Sequence, residues 1–171
     1  MQVAPLAPAH LAAYRALMLH AYEAAADAFT TTAAERAAEP DAWWLRRMAD
    51  PSGLSQAFGA FVGDELVGTV AVEYSAKPKT RHSALVIGMY VQPDSRRRGA
   101  GVRLMHAAIA AARARPGILT LRLTVTEGNE PALRLYESVG FLAWGVEPMA
   151  IHTPSGYRGK VHMALPLARA G

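Results

Sequence analysis

"VQPDSRRRGAGVRLMHAAIAAARARPG" runs from Val91 to Gly117: a strand end, a proline, three arginines, Gly-Ala-Gly and then an apolar run at helical spacing. Val102, Met105, Ala108, Ile109 and Ala112 share one face of that helix, and Pro116-Gly117 is its stop signal. A helix that opens straight after such a turn presents backbone N–H groups without partners at its positive end. Where the turn lacks side chains, a phosphate can approach those groups closely. Gly99 and Gly101 remove Cβ atoms there, and Arg96, Arg97 and Arg98 set full charges beside them. A tight turn carrying solvated arginines uses the same residues, so the turn alone leaves both readings open. Two better-known phosphate motifs do not fit: a dinucleotide fingerprint needs glycine at Leu104, and Gly159-Lys160 is followed by Val161 rather than Ser or Thr.

Working outward, "MQVAPLAP" reads as a short edge strand ended by its prolines, and Ala9 to Ala28 carries apolar residues at helical spacing. A second helical region follows Thr32, whose spacing to Glu35 is that of a capping box, and it runs to Met48 before the break at "DPSG". The period then falls to two. "QAFGAFV", a Gly63-Asp64 turn and "ELVGTVAVEYS" read as a hairpin, and "SALVIGMYV" as a third strand ending at Gln92-Pro93. Downstream lie the strand "ILTLRLTV", the short helix "NEPALRLYESVG", and the strands "FLAWGVEPMAI" and "VHMALPL" around a loop "HTPSGYRGK". Hairpins mixed with strand–helix–strand crossovers imply an α/β chain of the mixed α+β kind. The expectation is a single domain over residues 1–171, with a central mixed, mostly antiparallel sheet of about seven strands flanked by about four helices.

The chain of 171 residues has 18 basic and 14 acidic side chains, a mild excess that suits an anionic ligand and falls short of demanding nucleic acid. A short arginine run with no interleaved aromatics and no recognition motif weighs further against nucleic acid. The absence of cysteine excludes disulfides, thiolate metal sites and a cysteine nucleophile. No leader and no apolar stretch long enough for a membrane is read, so a cytoplasmic protein without metal is expected.

The central segment resembles the GCN5-related N-acetyltransferase (GNAT) family. The resemblance rests on Val91-Gln92-Pro93, on Arg96-Arg97-Arg98-Gly99-Ala100-Gly101 leading into the helix from Val102, and on a second motif of Asn129, Ala132, Tyr136 and Gly140-Phe141. It implies a single acetyltransferase domain that moves the acetyl group of acetyl-CoA directly to an amine of a small molecule or peptide, with no covalent acyl-enzyme. A catalytically inactive acyl-CoA-binding module of the same fold is the alternative.

By that resemblance the main chain of Arg98, Gly99, Ala100, Gly101 and Val102 grips the diphosphate, and Arg96 holds a phosphate-contacting position. Arg97 and Arg98 read equally as solvated charges. Met89, Tyr90 and Val91 match the strand that pairs with the pantetheine arm. Gly88 within that strand reads either as a bulge freeing an N–H for the thioester carbonyl or as relief of crowding against a helix. Tyr136 takes the general-acid position, against a reading as a packed tyrosine. By the same resemblance Asn129, Ala132 and Tyr136 contact the cofactor, with capping of the helix beginning at Pro131 as the other reading of Asn129. Many relatives carry a glutamate on the central strand, and "SALVIGMYV" has none. Glu73 is the base candidate, with Glu127 and His82 behind it. Phe29, Trp44 and Tyr157 are expected to border the acceptor. Adjacent Trp43 and Trp44 lie about 100° apart on a helix, so both cannot face the core. The acceptor's identity and the subunit number are not readable, and a homodimer stays open.

Overall fold

The computed structural model describes residues 1–167. Its strands are β1 (Gln2–Pro5), β2 (Ser55–Val62), β3 (Glu65–Tyr74), β4 (Ser83–Val91), β5 (Thr120–Thr126), β6 (Leu142–Thr153) and β7 (Gly156–Pro166). They form one sheet in the order β1-β2-β3-β4-β5-β7-β6, with every neighbour antiparallel except β4 and β5. The helices are α1 (Leu11–Ala24), α2 (Ala33–Ala37), α3 (Asp41–Ala49), α4 (Pro93–Arg96), α5 (Ala100–Ala114) and α6 (Glu130–Ser138). The α/β architecture and the seven strands are those expected. Among the described residues there are six helices rather than about four, because one expected helix is broken and a four-residue turn of helix precedes the glycine loop.

Helices cover both faces of the sheet. Tyr14, Leu17, Met18 and Tyr22 of α1 and Trp44 and Met48 of α3 bury one face against Ala57, Leu66, Ala71 and Tyr90. Leu104, Met105, Ala108 and Ile109 of α5 bury the other against Phe58, Val70, Val72 and Val86. Burial on both sides explains why "QAFGAFV" and "LVGTVAV" are near-continuous apolar runs rather than clean alternations. At the sheet's far edge β6 leaves Leu142, Trp144, Val146 and Met149 exposed. Among the described residues no helix is long and apolar enough to cross a membrane.

Four expectations shift. The helical region from Thr32 to Met48 splits at Pro40, whose ring forbids a helical N–H bond and pushes Glu39 out of the helix. The capping box itself forms: Thr32 Oγ1 accepts from the Glu35 N–H at 3.2 Å, and the Glu35 carboxylate accepts from the Thr32 N–H at 2.8 Å. The first helix is shorter, Leu11–Ala24, with 3-10 turns at Pro8–His10 and Ala26–Ala28. Helix α5 starts at Ala100, so Ala100 and Leu104 take core positions while Val102 stays 36% exposed. Finally, the polar segment "HTPSGYRGK" is mostly strand. Ile151, His152 and Thr153 pair with Arg158, Tyr157 and Gly156, which leaves a turn of Pro154 and Ser155.

Burial has an electrostatic consequence. It pushes the phenols of Tyr14 and Tyr136 up to about 12, opposed at Tyr14 by the charge of Arg47. The folded protein therefore keeps protons that the unfolded chain releases from about pH 10 upward, so this stabilisation is complete below about pH 10 and is lost as pH rises toward 12. Urea midpoints are expected to stay level between about pH 7 and 9 and to fall above about pH 10. A midpoint that held or rose there would contradict the burial.

Candidate active site

The site begins where the sheet comes apart. Strands β4 and β5 run parallel but pair at only three positions, Ser83–Thr120, Ala84–Leu121 and Leu85–Arg122, and then diverge. Beyond Leu85 the β5-facing edge of β4 has no strand partner. The wedge between Val86–Val91 and Leu123–Val125 opens into a cleft of about 610 Å³.

A bulge bends β4 inside this wedge. Thr69 faces Tyr90 and Ala71 faces Ile87, so Val70 alone opposes Gly88 and Met89. Gly88 sits at φ +60°, a left-handed conformation that glycine adopts without strain. A Cβ there would also stand 3.3 Å from Nη2 of Arg47 on α3. The expected bulge and the crowding against a helix residue therefore meet at one position.

One end of the cleft is the amino terminus of α5. Gly99 caps it at φ +75°, with open space where its Cβ would be, so its role is conformational. Gly101 matters for packing, since a Cβ would lie 3.1 Å from Leu135 of α6. The carbonyl of Gly99 accepts from Arg103 N–H at 3.1 Å, and helix geometry leaves the N–H groups of Ala100, Gly101 and Val102 without intrahelical partners. Of the five expected amides that of Arg98 is engaged, because its N–H donates to Ser95 O at 3.3 Å. The side chain of Arg96 is tied back, its Nε donating to Val91 O at 2.8 Å and its guanidinium lying 5.7 Å from the Tyr90 ring. Arg97 and Arg98 are exposed and do not line the cleft, and the side chain of Ala100 is buried in the core.

Helix α6 forms the facing wall with Ala132, Leu135 and Tyr136. Asn129 caps it, its Oδ1 accepting from the Ala132 N–H at 3.4 Å, and also lines the cleft. Tyr136 is 8% exposed, reaches the cleft and packs 6.2 Å from Phe141. Met89, Tyr90, Val91, Gly99, Gly101 and Val102 line the same space.

Four cations border the cleft, namely Arg36, Arg47, Arg96 and Lys160, and no carboxylate does among the described residues. Burial holds the Lys160 ammonium below its ordinary range, with Glu147 opposing. Sequence reasoning missed Arg36, Arg47 and Lys160. Only Arg47, beside the two tryptophans, carried any local signal.

Three expected site residues lie elsewhere. Glu73 pairs with Leu85 at the closed end of the wedge, three residues or about 10 Å short of the bulge, and does not line the cleft. Trp44 is 0% exposed, packed edge-on to Tyr14 and Trp43, and is a core residue. The partly exposed tryptophan is Trp43. Tyr157 is 63% exposed near the β6–β7 turn, where it stacks on His152 at 4.6 Å. Phe29 does border the mouth, edge-on to Tyr22 at 4.8 Å. Next to this mouth a second hollow of about 560 Å³ gathers the carboxylates of Glu23, Asp27 and Glu127 with Arg158. Glu127 accepts from the Gly159 N–H at 3.3 Å there.

Known proteins resemble this chain in sequence or in fold. The chain is 35% identical over 85 residues to the ribosomal protein bS18-alanine N-acetyltransferase of Salmonella typhimurium, taking in 50% of this chain and 57% of that protein. It is 30% identical over 101 residues to the L-amino acid N-acetyltransferase AaaT of Escherichia coli, taking in 59% of this chain and 61% of that one. The match thus spans less than two thirds of either relative. Among solved structures, a GCN5-related N-acetyltransferase from Kribbella flavida superposes with a TM-score of 0.81 at 27% identity over 97% of each chain. YncA of Salmonella typhimurium, solved with its cofactor acetyl-CoA, shares the fold at a TM-score of 0.82 and 20% identity, over 100% of this chain and 96% of that one. The family model described as acetyltransferase (GNAT) matches residues 17–141, from the middle of α1 through the whole wedge to Phe141, and the chain belongs to that family.

Proposed function

We propose that this protein is an acetyl-CoA-dependent N-acetyltransferase acting on a primary amine of a small molecule or peptide. The observation that carries the reading is the wedge itself: an unpartnered strand edge leading from a free helix amino terminus to a bulge and a buried tyrosine. Acetyl-CoA supplies an acetyl group already activated as a thioester. The fit is chemical, since anionic, amide-bearing and thioester portions each meet a matching set of groups.

The amides of Ala100, Gly101 and Val102, with the helix dipole behind them, bind diphosphate. The open edge of β4 around Met89 and Val91 pairs with the amides of the pantetheine arm as an added strand would. A backbone N–H at the Gly88–Met89 bulge faces the carbonyl oxygen and stabilises the charge it gains. Tyr136 donates its phenolic proton to the departing sulfur. With no carboxylate lining the cleft, the acceptor reaches it as the neutral amine, having lost its proton near the acidic hollow or to water. Asn129 serves as cap and cleft wall at once.

Titration calorimetry tests the first step. Wild-type protein is expected to bind acetyl-CoA, and Gly99→Val to bind about tenfold more weakly, because a β-branched residue at φ +75° displaces the amides at a strain of about 1–3 kcal/mol. Gly99→Asn, which tolerates that conformation, is expected to bind better than Gly99→Val. Absence of acetyl-CoA binding by the wild type would overturn the proposal. Binding without release of CoA in the presence of any amine would favour an inactive module instead.

A further inference from the structure

The cleft has a charged corner that the transfer chemistry leaves unused. Arg36 on α2 and Arg47 on α3 both line it and both lie against one indole, their guanidinium carbons 4.3 and 5.4 Å from the Trp43 ring centroid. Stacking of this kind holds a planar guanidinium in place while leaving its N–H edge free. In both residues Nε is buried and has no hydrogen-bond partner among the described residues. Arg36 has a distant ion pair with Glu39 at 3.8 Å, and no ion pair is found for Arg47 among the described residues. Of the other two cations of the cleft, Arg96 is tied to the Val91 carbonyl and Lys160 lies beside Glu147, while Arg47 also faces the buried phenol of Tyr14. Buried guanidinium N–H groups without acceptors are costly, and a two-oxygen anion matches their fork.

From this geometry we infer that Arg36 and Arg47 form an anion-binding subsite for the acceptor, and that the acceptor is a small amine bearing a free carboxylate, of the α-amino acid class. The inference deepens the proposed acetyltransferase function and rests on it. Its position selects that class. Nη2 of Arg47 approaches within 3.3 Å of the point where a Cβ on Gly88 would stand, so this guanidinium borders the bulge from the α1–α3 side of the sheet. In an α-amino acid the amine is two bonds from the carboxylate carbon. A carboxylate held by Arg47 therefore keeps the amine next to the bulge, where the acetyl carbonyl is to be polarised. A peptide's α-amine is followed by an amide and offers the two forks no charge. Neutralising them with an anion that also carries the nucleophile gives binding and orientation together.

The test compares L-amino acids with their carboxamides and with short peptides as acceptors, following CoA release with saturating acetyl-CoA. In the wild type kcat/KM is expected to favour the free acids over the carboxamides by at least tenfold, chiefly through KM. Arg47→Met keeps the apolar stem and is expected to bring the acid-to-amide ratio close to one, with Arg36→Met lowering it less. Calorimetry with the N-acetylated amino acid should show the same loss of affinity without turnover. Equal use of acids and amides by the wild type, with acetyl-CoA binding intact, would overturn the subsite and leave the acetyltransferase reading standing. Absence of both acetyl-CoA binding and turnover would overturn that reading and the subsite with it.

Discussion

Tyr136→Phe is expected to lower kcat about 100-fold while leaving the KM for acetyl-CoA and the melting temperature near their wild-type values. The substitution removes one oxygen and keeps the ring packed by Phe141. What it takes away is a proton that never leaves unaided. Burial pushes this phenol up to about 12, so it is protonated at every pH at which the enzyme would work. The same burial makes it a weak acid, and a thiolate released in this desolvated cleft has its own affinity for protons raised by the same cause. Kinetic pH profiles of the wild type should show no loss of rate below about pH 10 attributable to this group. Their rising limb should move with the basicity of the acceptor amine, since no carboxylate lines the cleft to act for it. A Tyr136→Phe enzyme within threefold of wild-type kcat would remove the proton-donor role. A parallel loss of melting temperature would reassign the residue to packing.

Gly88→Val should cost at least 100-fold in kcat with the diphosphate end of the site intact. At φ +60° a β-branched side chain is strained by about 1–3 kcal/mol, and its Cβ would meet Arg47 at 3.3 Å. Both penalties are relieved if β4 flattens, and flattening would remove the bulge on which the proposed contact to the carbonyl oxygen depends. Losing one donor of this type typically costs about 10²–10³ in rate. The contrast is with Gly99→Val, whose defect lies in binding rather than turnover. Full activity in Gly88→Val would show that the bulge plays no part in catalysis.

How much of this was legible in the sequence depended on whether the signal was local. The strand ending Val91-Gln92-Pro93, the glycine turn and the periodicity of α5 are short-range features, and they emerged with shifts of only a few residues. Gly88 stood out because glycine is out of place in a strand. The divergence of β4 from β5 is not a local feature, since nothing in the period of "SALVIGMYV" or "ILTLRLTV" says that they pair at three positions and then part. Between Trp43 and Trp44 the helical wheel said that both could not be buried, but the choice depended on which face of α3 meets Tyr14, a tertiary fact. Glu73 draws notice by its place near a strand end, and strand register sets it at the closed end of the wedge, outside the cleft lining. Arg36 and Arg47 lie on separate helices, and only the packing of both against Trp43 joins them. The two strands flanking "HTPSGYRGK" are legible, but their extension through it is not, because a segment of that polar composition reads as a loop.

The narrow seam between β4 and β5 makes the sheet two panels, four strands on one side and three on the other, stitched at one corner by three residue pairs. A molecule that hydrogen-bonds along the loose border of β4 would act as the missing stitching, so recognition and architectural integrity draw on the same main-chain groups. A guest lying along that border would contribute main-chain bonds that the protein itself leaves unmade, and its departure would unmake them again.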